Sequence, residues 1–319
     1  SPIEEIMVQF GQDKNFIGNG YRSLILSDVA APNPFLKINT KVWKLNYENL
    51  FSQHTDFIRQ GESATNGKKF SALHHLSINI TKNLNIGFFE NIIFDRKDST
   101  EGNRYELAYL NPLIFYRAVE HGLNSSDNAV LGLDWKWNFK KHYSFYGQFI
   151  LDEFSLSDVK EGEKSWKNKF GYQLGIKYYN AFKVDNLLLQ FEYNRVRPYT
   201  YSHNTIVLNY GHNNQSMAHL WGSNFSEAII IGRYHYNRWF GDAKLIFGVK
   251  GFDYNNGTDN FSYGGDIYRN YNDRPFDSGV EVGQGIKTNT FYANLQAGYV
   301  VNPASNLKLF ADITFRNFN

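Results

Sequence analysis

Residues 69–95 read KFSALHHLSINITKNLNIGFFENIIFD. The even positions before the turn carry Phe70, Ala72, His74, Leu76, Ile78 and Ile80. After Thr81–Asn83 they carry Leu84, Ile86, Phe88, Glu90, Ile92 and Phe94. The odd positions hold Ser71, His75, Ser77, Asn79, Asn85, Gly87 and Asn91. Successive side chains of a strand point to opposite sides, so a period of two across a tight turn is a β-hairpin with one apolar face. Glu90 is the exception on that face.

The same pattern recurs along the chain. Ala129, Leu131, Leu133, Trp135, Trp137 and Phe139 share one parity, answered after a turn by Tyr143, Phe145, Gly147, Phe149 and Leu151. Phe170, Tyr172, Leu174, Ile176 and Tyr178 are answered by Leu187, Leu189, Phe191 and Tyr193. Ile230, Tyr234 and Tyr236 are answered by Ala243, Leu245, Phe247 and Val249, and Phe291 through Tyr299 by Leu307 through Phe315. With one long strand near 35–51 and another near 5–12, the expected count is about twelve.

Turns inside the hairpins are short, whereas the connections 96–127, 154–167, 198–225 and 255–287 are long and polar. A soluble sandwich has no reason to alternate in this way; an outer-membrane barrel does, with short periplasmic turns and long extracellular loops. Strands of about 10–12 residues suit a tilted bilayer crossing. A sheet edge left open in lipid would strand its N–H and C=O groups. The expectation is therefore all-β: one closed antiparallel transmembrane outer-membrane β-barrel over 1–319, with a polar lumen and no second domain.

Composition agrees. Aromatics are 17% of 319 residues, with 27 Phe and 22 Tyr. Mean hydropathy is only −0.49, and no apolar run approaches the roughly 20 residues of a membrane helix. Net charge is +2, with charges dispersed, so nucleic acid is not an expected partner. No cysteine is present, which removes disulfides and thiolate chemistry. The opening SPIEEIMVQFG has neither the basic nor the apolar region of a signal peptide.

Two segments break the alternation. In 105–121, Leu107, Leu110, Ile114 and Phe115 follow helical spacing, and Asn111–Pro112 reads as a helix start. Either this short helix folds over or into the lumen and presents Arg117, Glu120 and His121 to the pore, or it is an extracellular cap packed by its own aromatics. Segment 13–34 is punctuated by Gly18, Gly20, Pro32 and Pro34. Its Gly-Asn-Gly is no phosphate loop, since no Gly-Lys-Ser/Thr follows; a constriction or rim element is expected. His74 and His75 are adjacent on a strand, so they point to opposite faces and do not easily chelate together. The spacing of His203, His212 and His219 matches no zinc pattern, so they read as polar loop surface. No Gly-x-Ser-x-Gly elbow occurs. No catalytic residue, metal or cofactor is expected.

The stretch EYNRVRPYTYSH (192–203) joins these themes. Parity from Leu187, Leu189, Phe191 and Tyr193 sends Glu192 and Asn194 to the lumen. It sends Arg195 and Arg197 outward, to the rim where arginines meet lipid phosphates. A bulge near Pro198 would instead turn them in. Tyr199, Tyr201 and His203 continue the rim.

FGQDKNFIGNGYRSLILSD (10–28), LHHLSINITKNLNIGFFE (73–90), YLNPLIFYRAVE (109–120), YGQFILDEF (146–154), NKFGYQLGIKYYNAF (168–182) and EYNRVRPYTYSH together resemble the capsule-assembly Wzi family of Bacteroidota, which includes RemB-like gliding-motility outer-membrane proteins. The resemblance implies a non-enzymatic barrel that binds or anchors surface polysaccharide, linked in gliding bacteria to motility and secretion machinery. It also implies about eighteen strands, the missing ones most naturally preceding residue 1. The expected partners are outer-membrane lipid and lipopolysaccharide, surface polysaccharide, and other outer-membrane proteins of a secretion or motility complex. Two further readings stand beside it: a structural accessory of such a complex, and a porin-like channel.

Overall fold

A computed structural model describes residues 5–60, 63–95, 97–98, 102–103, 105–111, 127–153, 155–160, 162, 164–254 and 260–319. Its strands are β1 (Ile6–Asp13), β2 (Asn33–Val42), β3 (Leu45–Gln60), β4 (Ser63–Asn79), β5 (Leu84–Phe94), β6 (Lys97–Asp98), β7 (Gly102–Asn103), β8 (Asn128–Phe139), β9 (Tyr143–Glu153), β10 (Lys169–Tyr179), β11 (Leu187–Val196), β12 (Gly211–His212), β13 (Gln215–Ser216), β14 (Phe225–Tyr236), β15 (Trp239–Phe252), β16 (Ile286–Asn302) and β17 (Leu307–Phe318). Thirteen of them form one sheet in the order β1-β2-β3-β4-β5-β8-β9-β10-β11-β14-β15-β16-β17. Each is antiparallel to its neighbour, as short turns demand. The pairs β6–β7 and β12–β13 are small hairpins within long connections. Among the described residues no pairing joins β1 to β17.

The expected long strand at 35–51 is two strands, β2 and β3, joined at Trp43–Lys44. Trp43 turns the chain in the left-handed region (φ 54°). No Gly, Asn or Pro marks this turn, so the composition of the stretch conceals it.

Register confirms the faces read from parity in every hairpin. On the outward face Phe88 pairs with Leu133, Leu133 with Phe149, Tyr172 with Phe149, and Ile230 with Phe191 and Leu245. Many of these side chains stay open to the surroundings: Leu174 is 52%, Leu295 59% and Ile313 70% exposed. An apolar band of this extent is the surface that lipid covers. Aromatic pairs ring its short-turn end: Tyr143 stacks on Tyr178 at 4.6 Å, Trp137 on Phe145 at 5.6 Å, and Trp239 lies 4.9 Å from Tyr299.

The inward face is less uniformly polar than expected. Leu50, Leu73, Phe89, Ile93, Val130, Ile150 and Val196 all point inward and are buried. What they meet is the segment between β1 and β2, whose Ile17, Leu24, Ile25 and Leu26 join the same cluster. The interior at these strands is therefore a packed core, and polar groups line the remainder.

The described part of 105–121 lies on neither expected surface. Leu107–Leu110 is a single 3-10 turn. Tyr109 and Tyr105 pack with Phe51, Phe70, Ala72, Ile92 and Phe94, all outward positions. β3 and β4 have 16 and 17 residues, longer than the roughly 9–11 a crossing needs. Their upper outward residues thus stand above the bilayer and require a protein cover. Glu90, the exception in the hairpin pattern, is buried on this face opposite His74. His74 in turn lies 2.8 Å from the Tyr47 hydroxyl, while His75 faces inward, 2.6 Å from Asp134.

Candidate functional site: the lumen and its internal segment

Residues 14–32 leave the top of β1 and fold inside the curve of the sheet before β2 begins. Ile17 bridges to Leu26 and closes a small loop. The backbone in between has no ladder of its own, so its polar groups must find partners on the wall. Tyr21 N and Arg22 N donate to Glu192 at 2.6 and 3.0 Å. Leu24 N donates to Gln148 at 2.7 Å. Gln173 Nε2 donates to Arg22 O at 3.0 Å, and Lys177 Nζ to Asn19 O at 2.7 Å. The hydroxyls of Tyr201 and Tyr210 donate to Leu24 O and Ile25 O at 2.6 and 2.7 Å. Gly20 fits here because a Cβ would come within 2.5 Å of Glu192.

Glu192 and Asn194 face the lumen, both fully buried. Around them the wall builds one polar network. The Tyr146 hydroxyl donates to Glu192 at 2.7 Å. Asn194 Nδ2 donates to Glu192 at 3.0 Å and to Glu227 at 3.3 Å. Arg22 reaches Glu227 at 3.3 Å, and His219 lies 2.7 Å from it. Two buried carboxylates are thus met by one arginine, one histidine and several neutral donors, the arrangement that buried charge requires. Glu227, Gln148 and Gln173 belong to this network as much as Glu192 does. Their inward parity was available as a signal, but parity cannot show what fills the lumen.

A second network ties the upper wall to the loops. Lys69 and Asp56 form an ion pair at 2.6 Å with both side chains fully buried. Lys69 also donates to the Asn209 carbonyl and side chain at 2.8 Å, and the Tyr268 hydroxyl donates to Asp56 at 3.0 Å.

Arg195 and Arg197 lie on the outward face at the extracellular end of β11. Arg195 pairs with Tyr172 and Ser226. Arg197 sits over the outward Phe170 ring and donates to Asn168 O and Ser165 O. No bulge intervenes before Val196. Tyr199 and Tyr201 depart from the rim: both are fully buried, Tyr199 donating to Ser262 O and Tyr201 reaching down to the internal segment. β11 ends at Val196, and positive φ at both tyrosines (67° and 71°) turns the following chain inward. His203 packs on Tyr271. His203, His212 and His219 are buried rather than polar surface, at 8%, 7% and 0% exposure. Burial lowers the pKa of all three, with Lys169 adding to the effect at His203 and Glu227 opposing it at His219. Arg117, Glu120 and His121 lie outside the described residues.

Beyond the network, β15–β17 continue the inner face with polar residues. Lys244, Tyr292, Asn294 and Gln296 face inward half-buried, and Asp312, Thr314 and Arg316 are exposed. Lys244 touches the internal segment through the Tyr21 hydroxyl at 2.9 Å.

An antiparallel meander, apolar outside, with a segment folded against a polar and apolar inner wall, defines an outer-membrane-type β-barrel. No protein-family model matches the chain, and no curated protein sequence matches it. Solved structures do. A crystal structure of the outer membrane protein OprD from Pseudomonas aeruginosa aligns with a TM-score of 0.51 at 13% identity, over 98% of this chain and 70% of that one. A second, improved OprD structure gives 0.50 at 13%, over 98% and 72%. At this identity the likeness is one of fold: this chain has the outer-membrane β-barrel fold.

Proposed function

We propose that the chain is a non-enzymatic, porin-like barrel of the bacterial outer membrane that passes small polar solutes through its lumen. The observation that carries this reading is the charged inner wall toward the short-turn end, where the internal segment leaves side chains uncovered. Lys136, Lys177, Arg233 and Asp242 face inward there, half-buried or exposed. The fold shared with OprD supports the same reading. Conductance of the purified chain in a planar bilayer tests it. Small discrete steps are expected, growing when Tyr21→Ala and Arg22→Ala loosen the segment. Silence of the wild type and of both variants would overturn it.

A second reading, surface-polysaccharide binding in capsule assembly or gliding, is favoured by one feature. A cleft of about 830 Å³ opens among the long loops, lined by Trp221, Phe252 and Tyr268 with Asp253 and Asp266. Aromatic faces beside carboxylates suit sugar rings and hydroxyls. Retention of the organism's own polysaccharide by wild type, lost in Trp221→Ala, would favour it. An intact capsule in a deletion strain would count against it.

A further inference from the structure

Most outward positions of the barrel carry a large apolar side chain. The extracellular third of β14 departs from this. Its outward residues there are Ser226 and Ala228, both half-buried. Register sets Ser226 between Arg195 and Val249, and Ala228 between Tyr193 and Phe247. The two small residues form the floor of a groove of about 440 Å³, with Tyr193 on one side, Phe247 and Phe291 on the other, and Asn289, Thr290, Asn317 and Asn319 at its far margin. Those phenylalanine rings stand 5.1 Å apart, and Phe247 is 46% exposed.

Arg195 stands beside the groove's upper end as the register partner of Ser226. The two neighbouring arginines differ in what they hold. Arg197 directs its donors to two backbone carbonyls. The Arg195 side chain makes no hydrogen bond or ion pair among the described residues, although its charge acts on Tyr172 and Glu281. The nearby Glu281 is paired with Lys164. A mainly apolar slot on the lipid-facing surface, with an arginine at its extracellular end, complements one kind of molecule: an amphiphile with an acyl chain and an anionic head. Arginine's planar fork matches phosphate oxygens in particular.

We propose that this groove seats one acyl chain of a phosphorylated glycolipid of the outer leaflet, with Arg195 binding its headgroup phosphate. The proposal rests on the outer-membrane reading but not on conduction, so a silent barrel leaves it standing.

The test is native mass spectrometry of the full chain in detergent after incubation with diphosphoryl lipid A. Heat-modifiable gel migration confirms folding of each variant. Wild type should retain one lipid. Arg195→Gln should weaken retention about fivefold, the effect of one cation near an anionic surface. Ala228→Phe should abolish it by filling the slot, with Ser226→Leu as the substitute should that variant not fold. Leu295→Phe, outward but remote, should bind as wild type. Dephosphorylated lipid A should bind wild type no better than the phosphorylated form binds Arg195→Gln. Equal retention by wild type and the groove variants would overturn the proposal. So would a dimer cross-linked through Phe247→Cys, informative because the chain has no other cysteine, with no lipid retained.

Discussion

Glu192 shows how much one buried carboxylate can hold. It accepts from two backbone amides of the internal segment and from Tyr146 and Asn194. Glu192→Ala would strand those donors and is expected to cost about 3 kcal/mol, read as a lower urea midpoint and faster proteolysis near residues 19–22. Glu192→Gln keeps one acceptor and should cost less. The histidines carry a pH prediction. His203 and His212 have folded pKa values lowered by burial, so the unfolded loop binds more protons than the folded one. Stability is full above the unfolded value of about 6.5 and falls as pH drops below it. Lowering pH from 7.5 to 5 should expose residues 197–224 to protease, and His203→Gln should blunt the effect. Parity placed Glu192 and Asn194 correctly from sequence. It could not reveal that the three histidines are buried, because loop burial depends on contacts far along the chain, such as His212 with Thr55.

At the scale of elements, strand faces were the most legible feature, since a bilayer outside and polar groups inside impose period two over whole strands. The turn at Trp43 was illegible for want of a turn residue, and the fold of 14–32 because its partners lie on strands up to β15. Outward and inward substitutions should separate sharply. Leu174→Lys places a charge in the lipid band and is expected to cost about 2–4 kcal/mol. Thr314→Lys, on the exposed inner face, should cost roughly nothing by the same measure, since lumen positions tolerate charge. Equilibrium folding into short-chain lipid vesicles would give both values.

For the molecule as a whole, sheet and internal segment define each other. The segment gains its partners only where the sheet curls round it, and the sheet keeps an apolar inner core only because the segment fills it. The bond from Lys244 to Tyr21 spans 223 residues of chain. That separation bears on how the protein is made. Residues 14–32 are synthesised before β15, yet their docking surface is complete only when β15 has taken its place. Loop-closure entropy over such a distance makes this a late step, and contact order of this kind slows folding. A time-resolved refolding experiment should therefore show strand formation first and protection of residues 17–26 last. Until that final step, the nascent barrel carries its own future interior as an unprotected tether.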